Sequence, residues 1–178
     1  MTTTTSPLLH GTYAADPVHS SFGFAVRYQG VSLFKGTLDG VAATLADGRL
    51  EGTAQVESIS IRTPDQFRQH VLSAEFFDAA NHPEVTFTSN DLDLREDGTA
   101  KVAGELTIKG ITRPVELEVE VGGFGPDPYG GTRAGFSATG EIDRTEFGMN
   151  PELKLPTGGV MIGEKIQLTI EAEATLKT

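Results

Sequence analysis

The sequence predicts an all-β domain, an up-and-down barrel or a sandwich of about eight or nine strands, interrupted once by a short helical insertion. Three observations predict it. Apolar and polar residues alternate with period 2 over long stretches, the signature of half-buried antiparallel strands. Turn signals rich in Gly, Asp and Asn separate these stretches at hairpin intervals. A single stretch, residues 58–89, breaks the pattern with helical spacing and carries Phe67, Phe76, Phe77 and Phe87.

Taken in order, Phe22, Phe24, Val26 and Tyr28 share one face of a first strand. Shorter strands are predicted at roughly 37–45 and 49–60, joined by the turn Ala46-Asp47-Gly48. The insertion follows. Thr63 is placed to cap a helix, Pro64 suits its first position, and Gln66 can return the capping-box bond. Phe67, His70, Val71 and Ala74 then fall on one helical face, and a further short turn spans Ser73 to Ala80 before Asn81-His82-Pro83 restores extended geometry. Strands resume at about 84–95 and 99–109 around Glu96-Asp97-Gly98. Val115, Leu117, Val119 and Val121 alternate with Glu116, Glu118 and Glu120. After the hairpin connection Gly122–Gly131 comes a strand at about 132–146, and last a strand with Ile166, Leu168, Ile170, Ala172 and Ala174 on one side. An eight-stranded barrel is wide enough to enclose one small ligand. Gly23, Gly52, Gly104, Gly135 and Gly140, inside strands, mark either bends for barrel curvature or a close approach of ligand to backbone.

The chain has 178 residues, room for one domain, and we read residues 1–12 as a flexible start and 13–178 as that domain. With 25 acids against 14 bases its formal charge is −11, which argues against nucleic acid and against an anionic membrane surface as long-range partners. There is no cysteine, hence no disulfide and no thiolate site. The opening MTTTTSPLLHGTY has neither a basic segment nor a long apolar run, so a cytoplasmic protein without stable membrane insertion is expected.

Catalytic and metal chemistry find little support. His10, His19, His70 and His82 are paired neither at two-residue strand spacing nor at i, i+4, so no metal site is expected. His19 and Ser20, adjacent on a strand, point to opposite faces and cannot act as base and nucleophile. GGFGPDPYGG lacks the spacing of a phosphate or dinucleotide loop. Asp91 with Asp93, and the three glutamates at 116–120, face water and offer no pair of buried carboxylates. What remains is apolar. Nine phenylalanines with Met149 and Met161 could fill a barrel or line a tunnel through it, and the sequence does not choose between a packed and a hollow interior.

From Tyr13 to Leu176 the chain also resembles the YceI-like, polyisoprenoid-binding family. The resemblance is carried by Asp16-Pro17-Val18-His19-Ser20, by Ser58-Ile59-Ser60-Ile61-Arg62-Thr63, by His70 with Ser73-Ala74-Glu75-Phe76-Phe77-Asp78, by His82-Pro83-Glu84-Val85-Thr86-Phe87, by Gly104 through Val115, and by Arg144-Thr145-Glu146-Phe147-Gly148. It implies a lipocalin-like, eight-stranded antiparallel barrel with a helical insertion at about 63–80, enclosing an isoprenoid or fatty chain. The chain departs from the family pattern at Tyr13, where tryptophan is common, at Tyr28, where histidine often ends the strand, and at Phe67-Arg68, where Arg-Asp is usual.

On that resemblance the chain is expected to be a non-enzymatic carrier or store of an isoprenoid quinone or polyprenyl lipid, needing no other cofactor, and a homodimer is possible. Capture of lipophilic antibiotics or stress metabolites, or an isoprenoid-modifying enzyme, are the alternatives. The expected tunnel lining is Phe22, Phe24, Phe34, Phe67, Val71, Phe76, Phe77, Phe87, Leu106, Phe136, Phe147, Met149 and Met161; the expected head-group contacts are Arg62, Arg68, His70, Arg144 and Lys154.

Overall fold

A computed structural model describes residues 11–126, 128–150 and 161–177. It contains ten strands: β1 (Thr12–Ala15), β2 (Ser21–Tyr28), β3 (Ser32–Leu38), β4 (Val41–Ala46), β5 (Arg49–Gln55), β6 (Glu84–Leu94), β7 (Thr99–Ile108), β8 (Ile111–Pro126), β9 (Thr132–Asp143) and β10 (Ile162–Lys177). One helix, α1 (Asp65–Leu72), lies between β5 and β6. All pairings are antiparallel, and β1 joins both β4 and β10, so β1 and β4 through β10 close into an eight-stranded barrel. Closure removes the edges along which open sheets aggregate.

The strand count exceeds eight because the strand expected around residue 22 has a predecessor. Asp16 Oδ1 accepts the Val18 N–H at 2.9 Å and the Asp16 carbonyl accepts that of His19, a tight turn at a proline that cannot join a ladder. The turn leaves β1 and β2 end to end along β10, with Ala15 opposite Ala174 and Ser21 opposite Glu171. The stretch expected as one strand at 37–45 is likewise two, β3 and β4, divided at Asp39-Gly40. The stretch at 49–60 ends as strand at Gln55 and continues as a 3-10 turn, Val56–Ser58.

The hairpin of β2 and β3 hangs on β10 outside the closed ring. Among the described residues β3 meets the rest of the barrel on its far side through one bridge, Leu38 to Ile59, and through bonds made by Ser60, whose N–H reaches the Thr37 carbonyl. The insertion covers this side. Its helix starts one residue later than a Thr63 cap requires: Pro64 is extended (ψ 153°) and its carbonyl accepts from the N–H groups of Phe67 and Arg68, so Pro64 itself is the cap residue.

The interior is apolar by pleat alternation. Leu38, Val56, Ile59, Val102 and Leu106 are all at most 2% exposed, each stabilising the fold by about 1.5–3 kcal/mol relative to leaving the side chain in water. Two glycines make room for aromatic rings inside. A Cβ on Gly36 would lie 2.5 Å from Phe24, and one on Gly104 would lie 2.6 Å from Phe87. Gly104, expected to serve either curvature or ligand approach, thus admits a side chain of this protein.

Candidate ligand cavity

The interior is hollow in two places. One chamber lies within the closed ring, with a volume of about 170 Å³, and is walled almost wholly by carbon. Phe87, Leu106 and Phe136 line it, together with Tyr13 and the inward faces of β4, β5 and β7. A second chamber, about 390 Å³, lies between the β2–β3 hairpin, β10 and the insertion, and is lined by Phe24, Phe34, Phe67, Val71, Phe76, Phe77, Phe147 and Met149. Phe22 and Leu168 line both. The two chambers therefore share a wall or a neck at those side chains.

Twelve of the thirteen residues expected to line a tunnel stand around one chamber or the other. Met161 does not. It lies beside β2, where its carbonyl accepts the Gln29 N–H at 2.6 Å, and its side chain is in neither lining. Lining residues outside that expectation include Ile108, Ile142 and Ile166 in the second chamber and Tyr13 and Leu45 in the first. The period-2 alternation of their strands could have found most of them.

The aromatic wall of the second chamber is continuous. Phe34 meets Phe24 at 6.5 Å between ring centres and Phe67 edge-on at 5.6 Å, and Phe24 meets Phe77 at 6.3 Å. Such tilted contacts join the hairpin to the insertion with about 0.5–1.5 kcal/mol per pair beyond burial. Tyr28 and Phe67 line this chamber and are each 39% exposed, so the chamber opens to solvent between them.

Polar anchoring holds the insertion over the barrel. Arg68 donates to the carbonyls of Glu57 (2.8 Å), Ile61 (3.1 Å) and Ile59 (3.3 Å). Lys109 bridges the carbonyls of Ala74 in the insertion and Gly148 beyond β9. Arg144 is 5% exposed and lines the second chamber, with its guanidinium donating to Met149 O (2.6 Å), Gly163 O and Ile162 O (both 2.9 Å). It heads a short 3-10 turn, Arg144–Phe147, whose cap Asp143 accepts from the Thr145 hydroxyl (2.6 Å) and N–H (2.9 Å). Those two bonds hold the Asp143 carboxyl below its usual range.

Of the expected head-group contacts, then, Arg68 and Arg144 hold backbone carbonyls. His70 pairs with Glu75 at 2.6 Å and packs edge-on against Phe76. Arg62 is exposed and lines neither chamber, and Lys154 lies outside the described residues. Arg144 is the one charged side chain lining either chamber among the described residues. The same residues show no cluster of ligating groups suited to a metal ion.

A polar group of residues sits elsewhere, on the outer wall where β1 meets β10. Asp16 bonds the His19 ring (3.0 Å) and Arg133 (3.1 Å), and Arg133 also reaches Glu173 at 2.8 Å. The His19 ring, the Val18 N–H and Arg133 hold the Asp16 carboxyl far below its usual range, and Asp16 in turn raises the His19 pKa. This cluster joins the β1–β2 turn to the sheet and borders no part of either chamber's interior.

Known proteins share this architecture. The crystal structure of Burkholderia cenocepacia BcnA superimposes with a TM-score of 0.70 over 89% of this chain and 98% of that one, at 18% identity. A polyisoprenoid-binding domain from Saccharophagus degradans does so with a TM-score of 0.70 over 93% and 98%, at 14% identity. The Campylobacter jejuni YCEI protein has 26% identity and a TM-score of 0.63 over 93% of this chain and 82% of that one. In sequence, the UPF0312 protein of Staphylococcus aureus (strain USA300) is 33% identical over 171 residues, which cover 92% of this chain and 97% of the relative. The YceI-like domain matches residues 13–174. A closed eight-stranded barrel, a helical insertion over one side and a match along nearly the whole domain place this chain in the YceI-like family.

Proposed function

We propose that this protein binds and carries a long-chain amphiphile, an isoprenoid quinone or polyprenyl lipid, with the tail inside the two chambers and the head at the opening between Tyr28 and Phe67. The observation that carries the reading is the pair of apolar chambers meeting at Phe22 and Leu168, one of them open to solvent. Shape and lining fit a flexible hydrocarbon better than a compact polar metabolite. The binding of polyisoprenoid by the Saccharophagus domain of the same fold supports the class of ligand.

Energetics allow it. About twenty buried carbons at about 0.8 kcal/mol each offer ~16 kcal/mol, against association and ordering costs of about 4–15 kcal/mol. A bilayer offers a tail nearly the same transfer energy, so selectivity rests on the head. Acid–base catalysis would need a partner for Arg144, and the lining supplies no other charged side chain among the described residues.

The test is solvent extraction of the purified, undenatured protein followed by mass spectrometry, with a mock purification as control. A stoichiometric isoprenoid or other long-chain amphiphile is the expected result. An empty extract combined with no uptake of added quinone or polyprenyl phosphate would overturn the proposal and leave only a shared fold.

A further inference from the structure

Six large apolar side chains stand exposed among the described residues, and four of them belong to the hairpin and the helix that wall the second chamber. They are Tyr28 (39% exposed), Val31 (82%) and Leu33 (49%) on the β2–β3 hairpin and Phe67 (39%) across from it on α1. An exposed apolar group at the mouth of an apolar cavity marks an interaction surface rather than scattered surface residues. Its charge narrows what it meets.

In a chain with 25 acids and 14 bases, cations usually find partners, and here most do. Arg49, Arg95, Lys101, Arg133 and Lys165 pair with carboxylates, while Arg68, Lys109, Arg113 and Arg144 hold carbonyls. Among the described residues Arg27, Lys35, Arg62 and Lys177 make no such bond. Three of those four stand on the same hairpin or just before the helix. Arg27 stands opposite Leu33 and Lys35 opposite Ala25, so Arg27, Leu33 and Lys35 share the outer face of the hairpin. Arg62 precedes by two residues Pro64, which lines the chamber beside Tyr28. No Asp or Glu occurs from Arg27 to Leu38; the acids next to these stretches are Asp39, Glu57 and Asp65, the last adjoining Pro64.

We propose that this rim docks on a bilayer surface bearing anionic lipid, with Val31 and Leu33 entering the boundary between head groups and acyl chains and Arg27, Lys35 and Arg62 meeting phosphates. A tyrosine at that depth suits Tyr28, whose ring has one apolar and one wet end. The cavity mouth then opens onto the lipid phase. The formal charge of −11 sets the long-range field, which repels such a surface. Charges farther than about 8 Å are largely screened at physiological ionic strength, so at contact the rim cations dominate. A second copy fits the same surface less well. Pairing two β3 edges across a two-fold axis would bring like cations together, and a lysine on an edge strand discourages such pairing.

Flotation of the full chain with vesicles tests the proposal, comparing phosphatidylcholine alone with phosphatidylcholine mixed with phosphatidylglycerol. The protein is expected to float with the mixture and not with the neutral vesicles. Removing three surface cations (Arg27→Gln, Lys35→Gln, Arg62→Gln) is expected to weaken partitioning by on the order of a hundredfold. Val31→Ser with Leu33→Ser is expected to weaken it by about tenfold or more. Lys101→Gln, on the barrel wall in a pair with Glu116, is expected to leave it unchanged. All these side chains are exposed or partly exposed, and a thermal melt confirms that each variant folds. Equal flotation with both vesicles, a triple variant that binds as well as the parent, or no flotation but a dimer abolished by the Val31 and Leu33 changes would each overturn it. The proposal rests on the carrier reading for its purpose only. A protein that yields lipid on extraction and yet does not float overturns the docking and leaves the carrier reading standing.

Discussion

Leu168→Trp tests whether the two chambers act as one tunnel. Leu168 is 3% exposed, faces the interior from the middle of β10 and, with Phe22, lines both chambers. From Ile162 to Leu168, and again from Leu168 to Ala174, the strand runs six residues, about 20 Å, or about 15 Å along a barrel axis from which strands tilt by about 40°. A staggered hydrocarbon of ~1.5 Å bonds advances about 1.3 Å per carbon. The second chamber, about 390 Å³, therefore accommodates about twelve carbons, whereas the first, about 170 Å³ and close in size to a cavity that holds one benzene ring, adds only about six. In the parent protein, affinity for a series of straight-chain alcohols or fatty acids is expected to rise about fourfold per carbon, the equivalent of ~0.8 kcal/mol, and to continue past twelve toward about eighteen. Tryptophan at 168 blocks the neck, so affinity is expected to level off near twelve. At sixteen carbons the variant falls behind by about two orders of magnitude, while at ten it binds as before. Overpacking costs about 1–3 kcal/mol of stability, which a urea melt measures separately. Displacement of a fluorescent probe below the micelle concentration of each ligand gives the affinities. The same plateau in both proteins would refute the continuity of the chambers, and a uniform loss at every length would show that the substitution had damaged the fold instead.

Four further outcomes follow from the geometry. Phe76→Arg, which sets a charge in the second chamber, is expected to abolish retention of lipid through purification in a protein that still folds; unchanged lipid content by mass spectrometry would place the tail elsewhere. Arg144→Leu leaves three carbonyls without their charged donor and is expected to cost about 3 kcal/mol, or roughly 6–12 °C in Tm by calorimetry. Gly104→Ala drives a methyl group against the Thr88 backbone carbonyl and the Phe87 ring and is expected to cost about 1–3 kcal/mol in a urea melt, and a neutral result would mean that both the strand and the ring give way freely. His19, whose pKa is raised in the fold, adds stability that is full below its unfolded value of about 6.5 and is lost as pH rises through the raised value. Asp16, with its pKa lowered, adds stability present above about 3.9 and lost as pH falls toward the lowered value. The Tm advantage of the parent over His19→Gln should thus be larger at about pH 5 than at about pH 9, and a constant gap would refute the assignment.

Pleat alternation made the long strands legible, because β7 buries one clean face over its ten residues, Val115, Leu117, Val119 and Val121 of β8 turn inward between exposed glutamates, and β10 alternates from Ile166 to Ala174. Four-residue β1 was not legible. Its pairing partners, Thr175 and Thr44, lie far along the chain, and TYAA has no pattern of its own. In β3 the exposed Leu33 points outward and Gly36 inward, which blurs the alternation that would have separated β3 from β4. Aromatics located most of the cavity lining, since a ring in a closed sheet with few inward charges has little else to face. Charge was a poorer guide to the head. Arg68 and Arg144 read as cations available to a ligand, yet each holds carbonyls supplied by backbone five to nineteen residues away, a relation that only the folded chain creates. The unpaired state of Arg27, Lys35 and Arg62 is likewise invisible in sequence, because it depends on where every acid ends up.

The division of labour along β10 has a further consequence. Its C-terminal part completes the circle with β1, whereas its N-terminal part carries the β2–β3 hairpin as an appendage. A cyclic ladder has no end from which to unravel; an appended hairpin has one. Closure and the shape of the second chamber are therefore set largely by different residues. Lengthening or re-facing the hairpin would reshape the second chamber while every bond of the circle stays in register, so relatives built on this plan can vary that chamber without solving the problem of closure again.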